Sequence, residues 1–474
     1  MTKSSFRILS VAAILVATRA LNAEQPKSAA IPVTVDERVE LLSIIFRLQG
    51  AREYHQAKET VPYVKAVDAY FAPFKDHEAI RLAGKLRQER GISYDAVAWF
   101  AVHIQGSPKL EPKVAFDNKN LVMEQRWTPA IAAKFLAAVQ KFADDSKAFD
   151  FFKKNRDFYD HSAGRLADEI GKRPYRQWLD EFFGAKPGAK FSATVGLLNG
   201  GANYGTTLRV KGEREEILPI IGASKFDNDG LPIFDQDSAN LIAHEFCHAY
   251  CNPMIDRFAD QILPSGEKIF PLRAELMRSQ AYGSARIMLY ESLVRASTHR
   301  FLVKHGAPQE AARQLQDEVR RGFLWTPDLS KLLADYEASR DKFKTFEAFM
   351  PRVVEFFQRV ATEIDARLAK LPQVKSITPA PGGDVDPSAT ELRIEFDRPM
   401  DVRAYGIRGQ KSDMPTFVGK ARFSDDQTTF IIGIKLEPGK TYKYSLNAIW
   451  APGFVSAEGL PPDPVAVTFT TKKE

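Results

Sequence analysis

Two histidines four residues apart, His244 and His248, bracket Glu245 in the segment SANLIAHEFCHAYCNP. On an α-helix this spacing puts both imidazoles on one face, one turn apart, where they can meet one zinc ion at about 2.0 to 2.1 Å. Glu245 is rotated by about 100° from His244, and its side chain is long enough to reach a water on an open coordination position. The segment reads as a helix over 238–251. Asp237 or Ser238 can cap it, no breaker occurs through Cys251, and Asn252-Pro253 stops it. The competing explanation is a chance pairing on a buried helix, expected in roughly one random chain in a hundred of this kind, since the chain has only eight histidines.

Two histidines alone hold zinc weakly, and a catalytic site combines three protein ligands with one open position. The segment Glu275 to Arg300 has helical periodicity interrupted only by Gly283, and it offers Glu275, Glu291 and His299. Glu291 lies among Met288, Leu289, Leu293 and Val294, where a carboxylate needs a partner: a metal, or Arg295 one turn on. Glu275, near Arg273 and Arg278, reads as a surface ion pair. Cys251, three residues past His248, is a rival ligand, although one helix cannot easily wrap three turns around a small ion. Cys247 and Cys251 could also form a strained disulfide; buried free thiols are the simpler expectation. Tyr282 and Tyr290, expected on the helix of Glu291, are candidate donors to a developing oxyanion, with His299 a further option.

A HExxH helix followed by a glutamate on a second helix resembles the gluzincin pattern of zinc metallopeptidases. More closely, the blocks ERVELLSIIFRL, LLNGGANYG, AHEFCH and LYESLVRA resemble a bacterial family designated domain of unknown function 4932, over roughly Val35 to Phe357. The resemblance implies a zincin-like domain with Zn2+ as cofactor, Glu291 as third ligand, and hydrolysis of peptide bonds with Glu245 as general base. Glu291 follows His248 by 43 residues, a longer interval than in thermolysin-like peptidases. In such enzymes an edge strand beside the cleft commonly holds an extended substrate, a role open to Leu197–Gly205; the same glycines equally suit an ordinary hairpin.

The elements that must position these groups fall into blocks. Asp36 to about 185 reads as helices, among them one capped by Asp76, one capped by Ser93 and one opened by Thr128-Pro129. Residues 190–222 have strand and turn punctuation, and a second helical block runs from about Ser238 to Ala369. From 374 to 474 the pattern is all-β and resembles the bacterial Ig-like domains of surface and secreted proteins, which implies a sandwich serving as a spacer or as a module for a cell-wall or surface partner. The expected fold class is therefore α+β: a mainly helical metallopeptidase domain over 24–370 with a small sheet, followed by an Ig-like sandwich.

Lys3 and Arg7 precede the apolar run Ile8–Ala17, and Ala23 ends a cleavage-site pattern, so 1–23 reads as a removable export signal and the protein as secreted or periplasmic. Net charge is +6 over 474 residues; removal of Lys3, Arg7 and Arg19 would leave about +3, with no basic cluster that would suggest nucleic acid. No apolar run approaches the roughly 20 residues of a membrane span. Two functions from different classes remain: a zinc peptidase acting on peptide or protein substrates, and a non-catalytic surface-binding protein with a structural or vestigial metal site.

Overall fold

A computed structural model describes residues 30–107 and 109–473. The expected export signal lies outside them. Asp36 caps the first helix, Glu37–Leu48, by accepting from the Arg38 N–H, and Thr128 caps Pro129–Asp145 by accepting from that of Ile131. Two other caps differ from expectation. His77, not Asp76, accepts from the Ala79 N–H at the start of Glu78–Arg90; Tyr94 opens Asp95–His103 at φ 49°, while the Ser93 hydroxyl turns back to the Gly91 carbonyl.

The sheet contains β1 (Val33–Thr34), β2 (Lys190–Phe191), β3 (Ala193–Gly196), β4 (Tyr204–Leu208) and β5 (Glu216–Gly222). β5 runs parallel to β2 and β3, which meet it with one continuous register (Lys190 opposite Glu216, Thr194 opposite Ile220), and β1 adds in parallel to β3. β4 pairs only with β5, antiparallel, and so forms the outer edge. The Ser192 N–H donates to the Ile217 carbonyl, so odd-numbered residues of β5 face β2 and β3, and even-numbered ones face β4. With Thr206 opposite Leu218, the main-chain groups of Gly205 and Thr207 then point away from the sheet.

The motif helix, Gln236–Arg257, packs beside this edge, and the ligand helix, Ala285–His305, packs in turn against the motif helix. Asp235 caps the motif helix in a reciprocal box with Ser238, so it starts earlier than Asp237 or Ser238 would have allowed. It also continues through Pro253. Proline has no N–H to give the Ala249 carbonyl, and that carbonyl instead accepts from Arg209 Nη2 at 3.3 Å. The stretch read as one helix from Glu275 is broken: Ala259–Ser279 ends, Ala281 turns at φ 69°, and Ser284 caps the ligand helix by accepting from the Ile287 N–H. Tyr282 therefore sits in a loop, not on the helix of Glu291.

The last helix, Phe346–Leu368, leads into β6 (Val374–Thr378), β7 (Asp384–Val385), β8 (Glu391–Phe396), β9 (Ile407–Arg408), β10 (Thr416–Phe423), β11 (Thr429–Lys435), β12 (Thr441–Leu446) and β13 (Val465–Thr471). They form two four-stranded sheets, β10-β11-β8-β6 and β7-β13-β12-β9. Alternating burial along β8 and β12 turns Leu392, Ile394, Phe396, Tyr442, Tyr444 and Leu446 inward. The protein is thus a mixed α and β structure, helical towards the N-terminus and β-sheet at the C-terminus. Ile31–Glu474 pack as one compact unit containing two apolar cores, one built from Val35 to Ile364 and one from Ile377 to Phe469. Among the described residues no helix is long and apolar enough to cross a membrane.

Candidate metal centre

His244 and His248 project from the motif helix towards Glu291 on the ligand helix, and together they are a set of groups able to hold a metal ion. The two Nε2 atoms are 3.3 Å apart, His244 Nε2 is 3.4 Å from Glu291 Oε2, and His248 Nε2 is 3.5 Å from Glu291 Oε1. Atoms bonded tetrahedrally to an ion at 2.0 to 2.1 Å lie about 3.4 Å from one another. The spacing and the nitrogen and oxygen donors both fit zinc.

Electrostatics supports the same reading of these atoms. Burial lowers His248 to about 4, against the pull of Glu291, which keeps the ring neutral with a lone pair available. Its Nδ1 faces Asn252 Oδ1 at 3.1 Å; an Nδ1–H donating there leaves Nε2 as the bare nitrogen facing Glu291. Burial would raise Glu291, but Arg295, then His244 and His248, override it and hold the carboxyl well below the usual range. Glu245 is pushed up to about 7 by burial; His244 and Arg295 oppose this, and Glu291 adds to it. Its Oε2 stands 3.9 Å from His248 Nε2, beside the ligand atoms. The imidazole side chains are 15% and 13% exposed, so solvent reaches the pair.

Gly205 of β4 is what lets the edge strand lie against this helix. A Cβ there would come within 2.5 Å of the Glu245 carbonyl and 2.6 Å of His248 Cβ. Other sequence candidates are placed elsewhere. Glu275 is exposed. His299 is buried, with Nδ1 2.6 Å from Ser330 Oγ, two helical turns past Glu291. Cys247 and Cys251 are free and buried, and Cys251 Sγ lies 3.8 Å from Ser297 Oγ. The Tyr290 hydroxyl donates to Asp256, eight residues beyond His248 on the motif helix and so roughly 12 Å along it; it is not brought to the cluster. Tyr282 is: its hydroxyl accepts from Arg295 Nη2 at 2.6 Å, and the same nitrogen donates to Glu291 Oε2 at 3.0 Å. Sequence reading missed Asn252, whose i,i+4 relation to His248 was visible, and Glu318, which pairs with Arg295 from another helix and had no local signal.

The family described as "Domain of unknown function (DUF4932)" matches residues 31–356. The chain belongs to that family. The matched span contains every residue of the metal cluster and ends before the C-terminal sheets. No curated protein matches. Among solved structures, "Structure of surface layer protein SbsC, domains 1-6" is 15% identical, with 92% of this chain and 46% of that one covered and a TM-score of 0.18. A crystal structure of the N-terminal part of the bacterial S-layer protein SbsC is 14% identical, with 91% and 79% covered and a TM-score of 0.17. The chain spans less than half the length of the first of these, and likeness at such TM-scores carries no argument about fold or function.

Proposed function

We propose that this chain is a secreted or periplasmic zinc metallopeptidase of gluzincin type. The observation that carries the reading is the triangle of His244 Nε2, His248 Nε2 and the Glu291 carboxylate, with Glu245 beside it. Two buried carboxylates, Glu291 and Glu318, pair with one buried guanidinium, Arg295, and a third, Glu245, lies beside the ligand atoms. Fully ionised, they leave a charge of −2, which a divalent cation cancels.

When bound, zinc acidifies a water and polarises a carbonyl. Glu245 takes the proton of the attacking water and passes it to the leaving amine. Tyr282 donates to the oxyanion. The outward main-chain groups of Gly205 and Thr207 hold an extended peptide against the edge strand, beside His248. The segment Asn120–Val122 bonds to Arg209 and Lys211 and so covers the strand only beyond this stretch. The reading of the chain as a zincin-like domain over 24–370 and an Ig-like sandwich over 374–474 belongs to the same proposal. It is supported by the antiparallel edge strand on an otherwise parallel sheet and by the two stacked four-stranded sheets with their own core.

A closed structural site would need a fourth protein ligand. Among the described residues the group contains three, which favours hydrolysis over a purely structural ion. The purified chain, dialysed against zinc and then against buffer, should retain one zinc per molecule by elemental analysis, and His244→Ala should lose it. A wild-type protein without metal would refute the proposal.

A further inference from the structure

Behind the ligand cluster lies Arg295, 2% exposed and one helical turn from Glu291. Its Nη2 donates both to Glu291 Oε2 and to the Tyr282 hydroxyl. Its Nη1 donates to Glu318, whose Oε1 accepts from Gln314 Nε2 at 2.9 Å. The guanidinium carbon lies 4.5 Å from the centre of the Phe323 ring. An i,i+4 ion pair on a helix surface contributes little. This one is buried and fixed by partners on three other segments, so removing a member leaves a charge stranded.

Two consequences follow from hydrogen-bond chemistry. The bond from Arg295 engages Oε2, which also lies 3.4 Å from His244 Nε2, while Oε1, 3.5 Å from His248 Nε2, accepts no hydrogen bond among the described residues. The carboxylate is thereby left with one oxygen free for an ion. A guanidinium can only donate, so the Tyr282 oxygen accepts from it and the phenolic proton must point elsewhere; no acceptor among the described residues takes it.

We propose that Arg295 is the positioning residue of the centre: it makes Glu291 a one-oxygen ligand, keeping a coordination position open, and it turns the Tyr282 hydroxyl into a donor towards substrate. This rests on the zinc reading above. A two-oxygen glutamate with two histidines would fill four positions with protein atoms and leave water only a fifth.

The test uses the full chain and compares Arg295→Met/Glu318→Gln, which removes both buried partners together, with Glu318→Gln alone. Zinc affinity is measured by competition with a chromophoric chelator, and the visible spectrum is recorded on the Co2+ form. The double variant should bind zinc about 10- to 100-fold more weakly, the range for lost outer partners of a ligand, and show weaker cobalt bands as the released Oε2 adds to the coordination. Affinity within threefold of the single variant and an unchanged spectrum would overturn the role. A zinc-loaded wild-type structure needs no variant to fold: Oε1 alone should lie about 2.0 to 2.2 Å from the ion, with Oε2 still on Arg295, and two bonded oxygens would overturn the role while leaving the metal reading intact. Wild type that binds neither ion would overturn both.

Discussion

Gly205→Ala should damage the metal centre without touching a ligand. The added Cβ would lie 2.5 Å from the Glu245 carbonyl oxygen, 2.6 Å from His248 Cβ and 2.9 Å from His248 Cδ2. Carbon contacts settle at about 3.5 to 4.0 Å, so the 2.6 Å contact with His248 Cβ requires strand and helix to part by roughly 0.9 to 1.4 Å. Neither neighbour can yield easily, since one is helix backbone and the other is the root of a ligand side chain. Overpacking of this kind costs about 1 to 3 kcal/mol, readable as a lower urea midpoint at unchanged slope. Metal ligands tolerate displacements of about 0.2 Å, so moving His248 by several times that should weaken zinc by at least about tenfold, or about 1.4 kcal/mol. Gly201→Ala is the control, because its nearest atom would be Gln56 Oε1 at 3.6 Å. Chelator competition on the two variants decides the matter: zinc affinity and stability of Gly205→Ala within error of Gly201→Ala would refute the close packing of β4 on the motif helix.

Three further outcomes are expected. Glu291→Ala should abolish tight zinc binding while Glu275→Ala, on an exposed position, leaves it unchanged; equal affinities in a chelator titration would exclude Glu291 as a ligand. Asn252→Ala should weaken zinc about 10-fold or more by freeing the His248 ring, whereas Asn252→Asp, which keeps the acceptor, should not, and identical affinity for all three proteins would remove the second partner from the account. Glu40 is fully buried, accepts from the Leu197 N–H and the Tyr63 hydroxyl, and is pushed up to about 7 by burial. Its folded form binds a proton more tightly than the unfolded chain does, so this contribution to stability is full below about pH 4.5 and is lost as pH rises towards 7. Relative to wild type, Glu40→Gln should therefore gain on the order of 3 kcal/mol between pH 4.5 and pH 8, and a pH-independent difference in urea unfolding would contradict a buried, proton-holding Glu40.

The cluster was legible because its two histidines are local: four residues on a helix fix their relation whatever the rest of the chain does. Glu291 could be named from its apolar neighbours, which made an unpartnered carboxylate costly, but the same argument left Arg295 as the competing partner. In the folded protein Arg295 bonds Glu291 Oε2, and His244 and His248 stand 3.4 and 3.5 Å from the same carboxylate. The motif helix was read too short at both ends. Asp235 caps it in place of Asp237 or Ser238, and its passage through Pro253 depends on Arg209, 40 residues from the carbonyl it satisfies, a relation that no local window contains. Tyr282 was misplaced for a similar reason. Gly283 marked the weak point, but the break also needs the left-handed Ala281 and the Ser284 cap, and the two together make a loop of what periodicity joined. Alternation made the region from 374 readable as all-β, whereas the pairing of β4 with β5, and so the identity of the free edge, depends on register, which the glycines could not specify.

The central claim is that zinc held by His244, His248 and Glu291 serves peptide hydrolysis with Glu245 as the base, and one paired assay meets it directly. Zinc-loaded wild type and Glu245→Gln, matched for metal content, are incubated with a broad peptide library and the products are read by mass spectrometry. The account predicts cleavage by wild type and a loss of at least about a hundredfold in Glu245→Gln, the low end for a positioned acid–base group, with zinc retained in both. Equal cleavage by the two proteins would contradict the mechanism, and a metal-loaded wild type that cleaves nothing would contradict the peptidase assignment.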